Sequence, residues 1–261
     1  MLLGLLVPTS GQAEVLGLNT TTHGDQVRER CGALLEHNGL YERLSAYDNL
    51  DFYARIWRIP TGDRQARIKE LLSNLDLWDR RDETAGNWSR GMKQKLAVAR
   101  TLLHRPALVF LDEPTAGLDP IASAALREDL AHLAQSEGVT IFLTTHNLSE
   151  AEKLCQQLGV IRQGKLLAQG SPDELRSSSG KPRLEISGAG FDEDAIRALK
   201  MDPLVTAVSI EAHRLVIDFK EPSSSATFVT LLVDAGAQIE EVHKGKADLE
   251  EAFLSLLDEA E

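Results

Sequence analysis

Two acidic residues have the types and spacing for metal-assisted attack by water. Asp112 and Glu113 directly follow the apolar run Leu108 to Leu111, and Pro114 comes next. Carboxylate oxygens bind Mg²⁺, and a carboxylate can also polarise an attacking water. Side chains alternate along a strand, so the two acids point in different directions and can take these two roles. A strand that merely ends in a polar turn would show the same pair, and this alternative stays open.

The element that must position these acids is a buried strand. An unbroken apolar run of this length is typical of a strand covered on both faces of a parallel sheet, and Pro114 prevents the strand from continuing. A second apolar run, Thr140 to Thr145, predicts another strand and leads into His146. Ligands of open α/β sheets bind at the carboxyl ends of the strands. A lone His is usually structural, but at this edge His146 is a candidate site residue.

The sequence pattern predicts further strands and helices. Gly11–Gly17 alternates enough for a strand, and Leu158–Gln169 predicts a hairpin around Gln163 and Gly164. Ser45 can cap a helix. The segment Arg64–Trp78 carries a helical apolar stripe that we expect in the core, after a break at Thr61 and Gly62. The stripe consists of Ile68, Leu71, Leu72 and Leu75.

A third feature is a helix start that can bind an anion. Ser89 and Gly91 precede a helical pattern from about Met92 to Leu103. Backbone N–H groups point out of a helix N-terminus, where the helix dipole is positive. The cations of this helix are expected to form a solvated face; they are Lys93, Lys95 and Arg100. A further helix, Ile121 to Gln135, has Pro120 at its start.

Four motifs resemble those of ABC-type ATPases and follow one another along the chain in the order typical of that family. LVFLDEP (108–114) resembles the Walker B motif, AGLD (116–119) the D-loop, WSRGM (88–92) the signature motif and His146 the switch histidine. The resemblance runs from Met1 to about Ser171, and the tail is similar to that of a drug-exporter branch. It implies an α/β fold: a P-loop NTPase-like ABC ATPase core, incomplete at the N-terminus, with a helical subdomain and a small C-terminal α+β domain.

The resemblance implies that the chain binds ATP and Mg²⁺ and hydrolyses ATP to power transport, with export as the expected direction. Asp112 would hold Mg²⁺, Glu113 would polarise the attacking water, and His146 would contact the γ-phosphate. Asp119 would join two subunits. The residues do not identify the cargo.

The signature residues would bind the γ-phosphate of ATP held by a second subunit. They are Ser89, Arg90 and Gly91. Arg90 stands where the family usually has Gly, and Trp88 where it has Leu. Arg90 could add charge to the phosphate contact or lie in solvent.

Glu36 follows the predicted strand Cys31–Leu35. We align Glu36, within one residue, with a family position that usually carries a Gln touching Mg²⁺ and the lytic water. A carboxylate can bind Mg²⁺ but would repel the γ-phosphate. A solvated loop acid is the alternative.

The phosphate-binding loop of the family, GxxxxGK[ST], does not occur in the sequence. Residues Met1–Gly11 resemble the end of the helix that follows this loop. We therefore expect the residues to belong to a longer ATPase. The alternative is a non-catalytic ABC-type partner that donates its signature motif to another subunit's ATP site.

Composition restricts the partners. The 261 residues are 43% hydrophobic and 26% charged, with a net charge of −12, which argues against a nucleic-acid partner. Family members that act on ribosomes or DNA usually carry two such domains or a long coiled coil, and neither pattern occurs here. No apolar run approaches the roughly 18 residues of a membrane span. The resemblance implies a transmembrane permease subunit and a second ATPase subunit, in a homo- or heterodimer. The expected location is cytoplasmic, on the inner face of the membrane through the permease.

The resemblance and the composition together predict the domains. Residues 1–176 would form the ABC ATPase domain without its Walker A segment, with a helical subdomain at about 40–105. SSSG at 177–180 reads as a linker. Residues 181–261 alternate β and α patterns, which predicts a ferredoxin-like α+β accessory domain with an interaction or regulatory role. The closing helix is expected to face the core of this domain through Leu249, Phe253, Leu256 and Leu257.

Overall fold

A computed structural model describes the protein at residues 1–35, 38–179, 182–211, 214–221, 223–245 and 249–258. The chain divides into two compact units, residues 1–147 and 148–261. Glu36 lies outside the described residues.

The first unit combines a parallel sheet with helices. Its helices are α1 (Gly24–Glu29), α2 (Ala46–Ile56), α3 (Thr61–Asn74), α4 (Arg90–Leu102) and α5 (Pro120–Ser136), with short 3₁₀ turns at Trp78–Arg80 and Ala85–Asn87. Its strands are β1 (Glu14–Val15), β2 (Leu18–Asn19), β3 (Cys31–Leu34), β4 (Leu108–Asp112) and β5 (Thr140–Thr144).

The parallel sheet has the order β3-β4-β5, so the strand that carries the acids is central. On one face, Val109 and Leu111 are 2% and 1% exposed and join a core built from α2 to α5. On the other face, Phe110 packs against a small cluster of Val15, Val27 and Cys31, and Phe142 is 47% exposed. The predicted strands are confirmed, but burial of both faces is wrong, because this small cluster covers the second face only in part.

Helix α3 presents the predicted apolar stripe to the core. All four stripe residues, Ile68, Leu71, Leu72 and Leu75, are fully buried, so their assignment to the core is confirmed. Thr61 and Gly62 do not break the chain but form the first turn of α3. The chain enters this turn at Pro60, whose φ of −56° and ψ of 149° are non-helical. Ser45 caps α2 as predicted, since its side chain accepts a hydrogen bond from the Asp48 N–H.

The N-terminal segment differs from the predictions. Residues 1–13 form turns and bends rather than the end of a helix. Gly4 has a φ of +66°, which a right-handed helix does not accommodate, and so short a stretch gains little from helix propagation. The predicted strand Gly11–Gly17 is also wrong. Leu16 and Gly17, with φ of 53° and 77°, turn the chain between the two-residue strands β1 and β2.

The second unit begins with α6 (Leu148–Leu154), the antiparallel hairpin of β6 (Leu158–Arg162) and β7 (Lys165–Gly170), and α7 (Pro172–Ser179). The hairpin turns at Gln163 and Gly164, as predicted, and both residues have positive φ. It continues with β8 (Arg183–Ala189), α8 (Glu193–Met201), β9 (Val205–Glu211), β10 (Arg214–Phe219), α9 (Ser225–Asp234), β11 (Gln238–Gly245) and α10 (Leu249–Asp258).

Strands β8 to β11 form an antiparallel sheet in the order β11-β8-β10-β9. In chain order this is 4-1-3-2, with α8 and α9 as the two connecting helices, which is the ferredoxin-like arrangement. Two details differ from the sequence predictions. Residues 177–179 end helix α7 instead of forming a linker, and residue 180 lies outside the described residues. Helix α10 packs against α7 and α6 rather than in the core of this sheet.

Among the helices of the described residues, none combines the length and apolar character that crossing a bilayer requires.

Candidate functional site

Strands β4 and β5 bring the candidate residues to one edge of the sheet. Asp112 pairs in register with Thr144, and the Glu113 N–H donates to the Thr144 carbonyl at 3.0 Å, which extends the ladder by one residue. Asp112 and Glu113 therefore leave β4 at the level where His146 leaves β5. Parallel strands end on the same side of a sheet, so the three side chains converge.

Glu113 and His146 are in direct contact. The imidazole Nδ1 lies 2.8 Å from the Glu113 Oε1, and an ionised carboxylate accepts the Nδ1–H. The His146 side chain is 83% exposed and that of Glu113 34%, so both can reach a ligand in solvent. Glu113 has a φ of 45°, a left-handed conformation that costs a non-glycine residue about 1 kcal/mol or more. The buried Pro114 and the ladder bond on its own N–H hold Glu113 in this conformation.

Asp112 presents an oxygen to solvent. The Thr144 hydroxyl donates to Asp112 Oδ1 at 2.5 Å, and Oδ2 has no hydrogen-bond partner among the described residues. A single oriented, exposed carboxylate fits Mg²⁺, which prefers hard oxygen ligands and keeps several waters. No group of three or more His, Cys, Asp or Glu that could hold a metal occurs in the described part of the chain. The donor set therefore fits a hydrated Mg²⁺ shared with phosphate oxygens, rather than a closed protein cage.

The start of α4 forms the second part of the candidate site. Ser89 caps the helix by accepting a hydrogen bond from the Met92 N–H at 3.3 Å, and Ser89 and Arg90 are exposed. The remaining N–H groups of the first turn point away from the helix, which is the requirement for binding an anion. Gly91 lies close to α5, since a Cβ built on it would be 3.1 Å from the Ala122 Cβ.

Trp88 anchors this helix start in the core. It is 5% exposed, and its indole N–H donates to Glu83 Oε2 at 3.1 Å. The Arg80 guanidinium, hydrogen-bonded to Glu83, holds the pKa of that carboxyl below its usual value, so Glu83 accepts this bond as a carboxylate. The large residue at this position therefore fixes the segment that leads into Ser89.

Asp119 has a local role that the sequence reasoning missed. Its Oδ1 accepts hydrogen bonds from the Ile121 and Ala122 N–H groups at 3.0 and 2.9 Å, so Asp119 is the N-cap of α5. An Asp followed by Pro at the first helical position was the available signal. The loop from Glu113 to Asp119 thus ends on a helix cap.

The cations of α4 do not form the predicted solvated face. Lys93 pairs with Glu42 at 2.8 Å and Lys95 with Asp129 at 2.8 Å, and both lysine side chains are less than 20% exposed. Arg100 lies over the ring of Tyr53, 5.0 Å from its centroid. Burial lowers the pKa of the Arg100 guanidinium. The prediction is wrong because neighbouring helices cover this side of α4.

Asn49, which the sequence analysis did not select, holds the segment after Glu36. It is fully buried in α2, accepts from the Tyr41 N–H at 2.8 Å and donates to the Tyr41 carbonyl at 3.0 Å. Tyr53 donates to the Gly39 carbonyl at 2.5 Å. A polar residue on the buried side of an amphipathic helix was the signal for this role.

Comparisons with known proteins indicate the same family as the sequence motifs. A family model described as ABC transporter matches residues 1–116. The bacitracin transport ATP-binding protein BcrA of Bacillus licheniformis is 33% identical over 98% of this chain and 82% of its own length. The daunorubicin resistance ATP-binding protein DrrA3 of Streptomyces coeruleorubidus is 33% identical over 97% of this chain and 80% of its own length.

Two solved structures are similar in fold. The structure of cbiO1 from Clostridium perfringens, part of the ABC transporter complex cbiONQ, has a TM-score of 0.63 at 26% identity and covers 67% of this chain and 72% of its own. An ATP binding subunit of an ABC transporter has a TM-score of 0.58 at 28% identity and covers 68% and 73%.

Proposed function

This chain belongs to the ABC transporter family of ATP-binding proteins, and we propose that it is the ATP-hydrolysing subunit that powers export through a separate membrane subunit. The predicted family resemblance and the predicted α/β ABC ATPase fold are confirmed. The names of its relatives associate them with bacitracin transport, daunorubicin resistance and fluoroquinolone export, which supports an exporter.

The observation that carries the proposal is the contact of Glu113 with His146 beside Asp112. A carboxylate oriented by an imidazole, one residue from a carboxylate with a free oxygen, supplies a base and a metal ligand at one sheet edge. A general base of this kind contributes roughly 10²–10⁴-fold to a rate. The exposure of Asp112 and His146 and the partial exposure of Glu113 leave the edge open to a nucleotide.

Each residue takes a role from this geometry. Glu113 orients the attacking water and accepts its proton, and His146, fixed by Glu113, contacts the terminal phosphate. Asp112 would hold Mg²⁺ through its free oxygen. When bound, MgATP supplies the reactive phosphoanhydride and a metal that neutralises its charge. The protein contributes positioning and electrostatic stabilisation.

The start of α4 would serve a second subunit. Ser89, Gly91 and the backbone N–H of Arg90 would bind the terminal phosphate of ATP held by that subunit, and Asp119, at the start of α5, would contact that subunit. ATP-binding subunits of this family dimerise and work with membrane permease subunits. We place the chain on the inner face of the membrane, attached through its permease.

The test measures phosphate release from MgATP by two forms of the protein. One is the chain as printed, and the other carries a GxxxxGK[ST] strand, loop and helix ahead of Met1. We expect the extended form to hydrolyse ATP, and Glu113→Gln to reduce the rate by about 10²-fold or more while leaving nucleotide binding intact. Glu128→Gln removes an exposed carboxylate from α5 and serves as the matched control.

The outcomes separate the two functions considered. An extended form that binds ATP but is insensitive to Glu113→Gln overturns the assignment of the base. If neither form binds nucleotide, while the chain stimulates ATP hydrolysis by an intact relative through its signature motif, the protein is a non-catalytic partner.

A further inference from the structure

Arg90 makes an unusual contact for a surface arginine. Its guanidinium lies directly against the Cα of Gly117, so that a Cβ built on Gly117 would collide with the guanidinium carbon and with both Nη atoms. Gly117 is the apex of the loop 113–119 and has a φ of +69°. Only glycine satisfies both conditions without strain, because it tolerates this φ and leaves space for the flat guanidinium.

Helix α4 by itself does not account for an arginine at this position. Arg90 is the first residue of α4, where the helix dipole disfavours a cation, and the first turn contains no acidic residue. Its guanidinium makes no hydrogen bond or ion pair with the residues that the structure describes. Among the described residues, the contact with Gly117 therefore distinguishes this side chain from a solvated surface arginine.

The loop beneath Arg90 is tied at both ends to candidate site residues. The Ala116 N–H donates to the Glu113 carbonyl at 3.0 Å, and Asp119 caps α5. The apex between these ends has one further internal bond, from the Leu118 N–H to the Thr115 carbonyl at 3.1 Å. Arg90 covers this apex from outside, and Gly91 closes on Ala122 just beyond it.

We infer that Arg90 is a positioning residue that clamps the loop 113–119 to the start of α4, so that the signature segment and the loop carrying Glu113 and Asp119 move as one body. The inference rests on the proposed function for its catalytic consequence, but the clamp itself is a property of this chain alone. A shift of α4 would reach Glu113 through Arg90, Gly117 and Ala116, whose N–H donates to the Glu113 carbonyl.

Hydrogen exchange of the chain as printed tests the clamp directly. Arg90→Met keeps the length of the side chain but removes the planar, charged group. We expect the amides of Ala116 and Leu118 to exchange about fivefold faster in this variant, while amides in the middle of α4 keep their rates. Arg90→Lys should restore part of the protection. Arg43→Met removes an exposed arginine of the same unit and should change nothing.

A double-mutant cycle separates the contact from backbone strain. In the wild-type background, Gly117→Ala both strains the loop and displaces Arg90. In an Arg90→Ala background, where no long side chain lies over residue 117, it only strains the loop, so its effect on exchange should be smaller by the same factor of about five. Additive effects would overturn the clamp, as would unchanged loop protection in Arg90→Met.

The catalytic consequence is measured in the extended form that carries the phosphate loop. Arg90→Met should lower kcat about tenfold with little change in the KM for ATP, and Arg90→Lys should recover part of kcat. Unchanged kcat in an active enzyme refutes the positioning role. If no form hydrolyses ATP in a Glu113-dependent manner, the proposed function fails, whereas the exchange experiment still decides the clamp.

Discussion

His104 is a partly buried imidazole at the junction of α4 and β3. Its ring stacks on Trp57 with centroids 3.8 Å apart and planes 7° from parallel. Nε2–H donates to the Cys31 carbonyl at 3.1 Å, and the buried Nδ1 has no hydrogen-bond partner among the described residues. Burial lowers the pKa of His104 below its ordinary value of 6.5, and the cation Arg67 adds to this effect. The folded protein therefore holds this side chain neutral.

This lowered pKa predicts that acid destabilises the protein through His104. Below about pH 6.5 the unfolded chain binds a proton that the folded chain rejects, so the free energy of unfolding falls as the pH falls. His104→Gln keeps an N–H donor for Cys31 but cannot titrate. Urea unfolding from pH 8 to pH 5 should show the stability of the wild type falling relative to the variant. A difference that is constant over this range would contradict the prediction.

Among single residues, those that end strands were the easiest to predict. Asp112, Glu113 and His146 follow apolar runs, and parallel strands end at one edge, so their meeting needed only local patterns. The contact of Arg90 with Gly117 depends on the angle between a helix and a loop that are distant in the sequence. The positive φ of Glu113 likewise arises from the ladder bond to Thr144, which no local pattern indicates.

Among the elements, three helices meet at one buried ion pair. Arg67 of α3 is 3% exposed and binds both carboxylate oxygens of Glu137, just after α5, at 2.7 Å. It also donates to the Leu102 carbonyl at the end of α4 at 2.6 Å. The pair therefore closes the ends of α4 and α5 against α3.

We predict that Glu137→Gln destabilises the first unit by about 3 kcal/mol, because it removes the buried countercharge of Arg67 and leaves only the more exposed Glu70. Glu70→Gln is the matched control. Glu70 also contacts Arg67, at 2.9 Å, but is 43% exposed, so its loss should cost less than about 1 kcal/mol. Chemical denaturation of the three proteins provides the comparison. Equal losses for the two variants would show that burial does not decide the strength of this pair.

Elements with a long, regular pattern were predicted, and short ones were not. The stripe of α3 and the hairpin at Gln163 and Gly164 each had enough residues for a period to emerge. Helix α1, with 6 residues, and the two-residue strands β1 and β2 are too short for this. Arg67 sits within the α3 stripe, but its partner Glu137 lies 70 positions away, so its burial could not be predicted from local sequence.

At the scale of the whole molecule, the question is where the second folding unit begins. The composition predicts a boundary at 177–180, whereas the contacts of the chain place the second unit at 148–261. Helix α10 accounts for the difference. Leu249 and Ala252 are 5% and 0% exposed, α10 packs on α7 and α6, and Arg162 donates to the Leu257 carbonyl at 2.5 Å.

We predict that a fragment of residues 148–261 is more stable than one of residues 181–261 by at least about 2 kcal/mol. The shorter fragment loses α6, the hairpin and α7, and so exposes the apolar side of α10, where one fully buried Leu is worth about 1.5–3 kcal/mol. Urea unfolding followed by circular dichroism measures both the difference and the denaturant slope, which rises with the surface that unfolding exposes. In the longer fragment, Leu249→Ala should remove most of the advantage, whereas the same change in 181–261 should have little effect. Equal stability of the two fragments would place the boundary at 177–180. It would also show that α10 gains no stability from packing on α6 and α7.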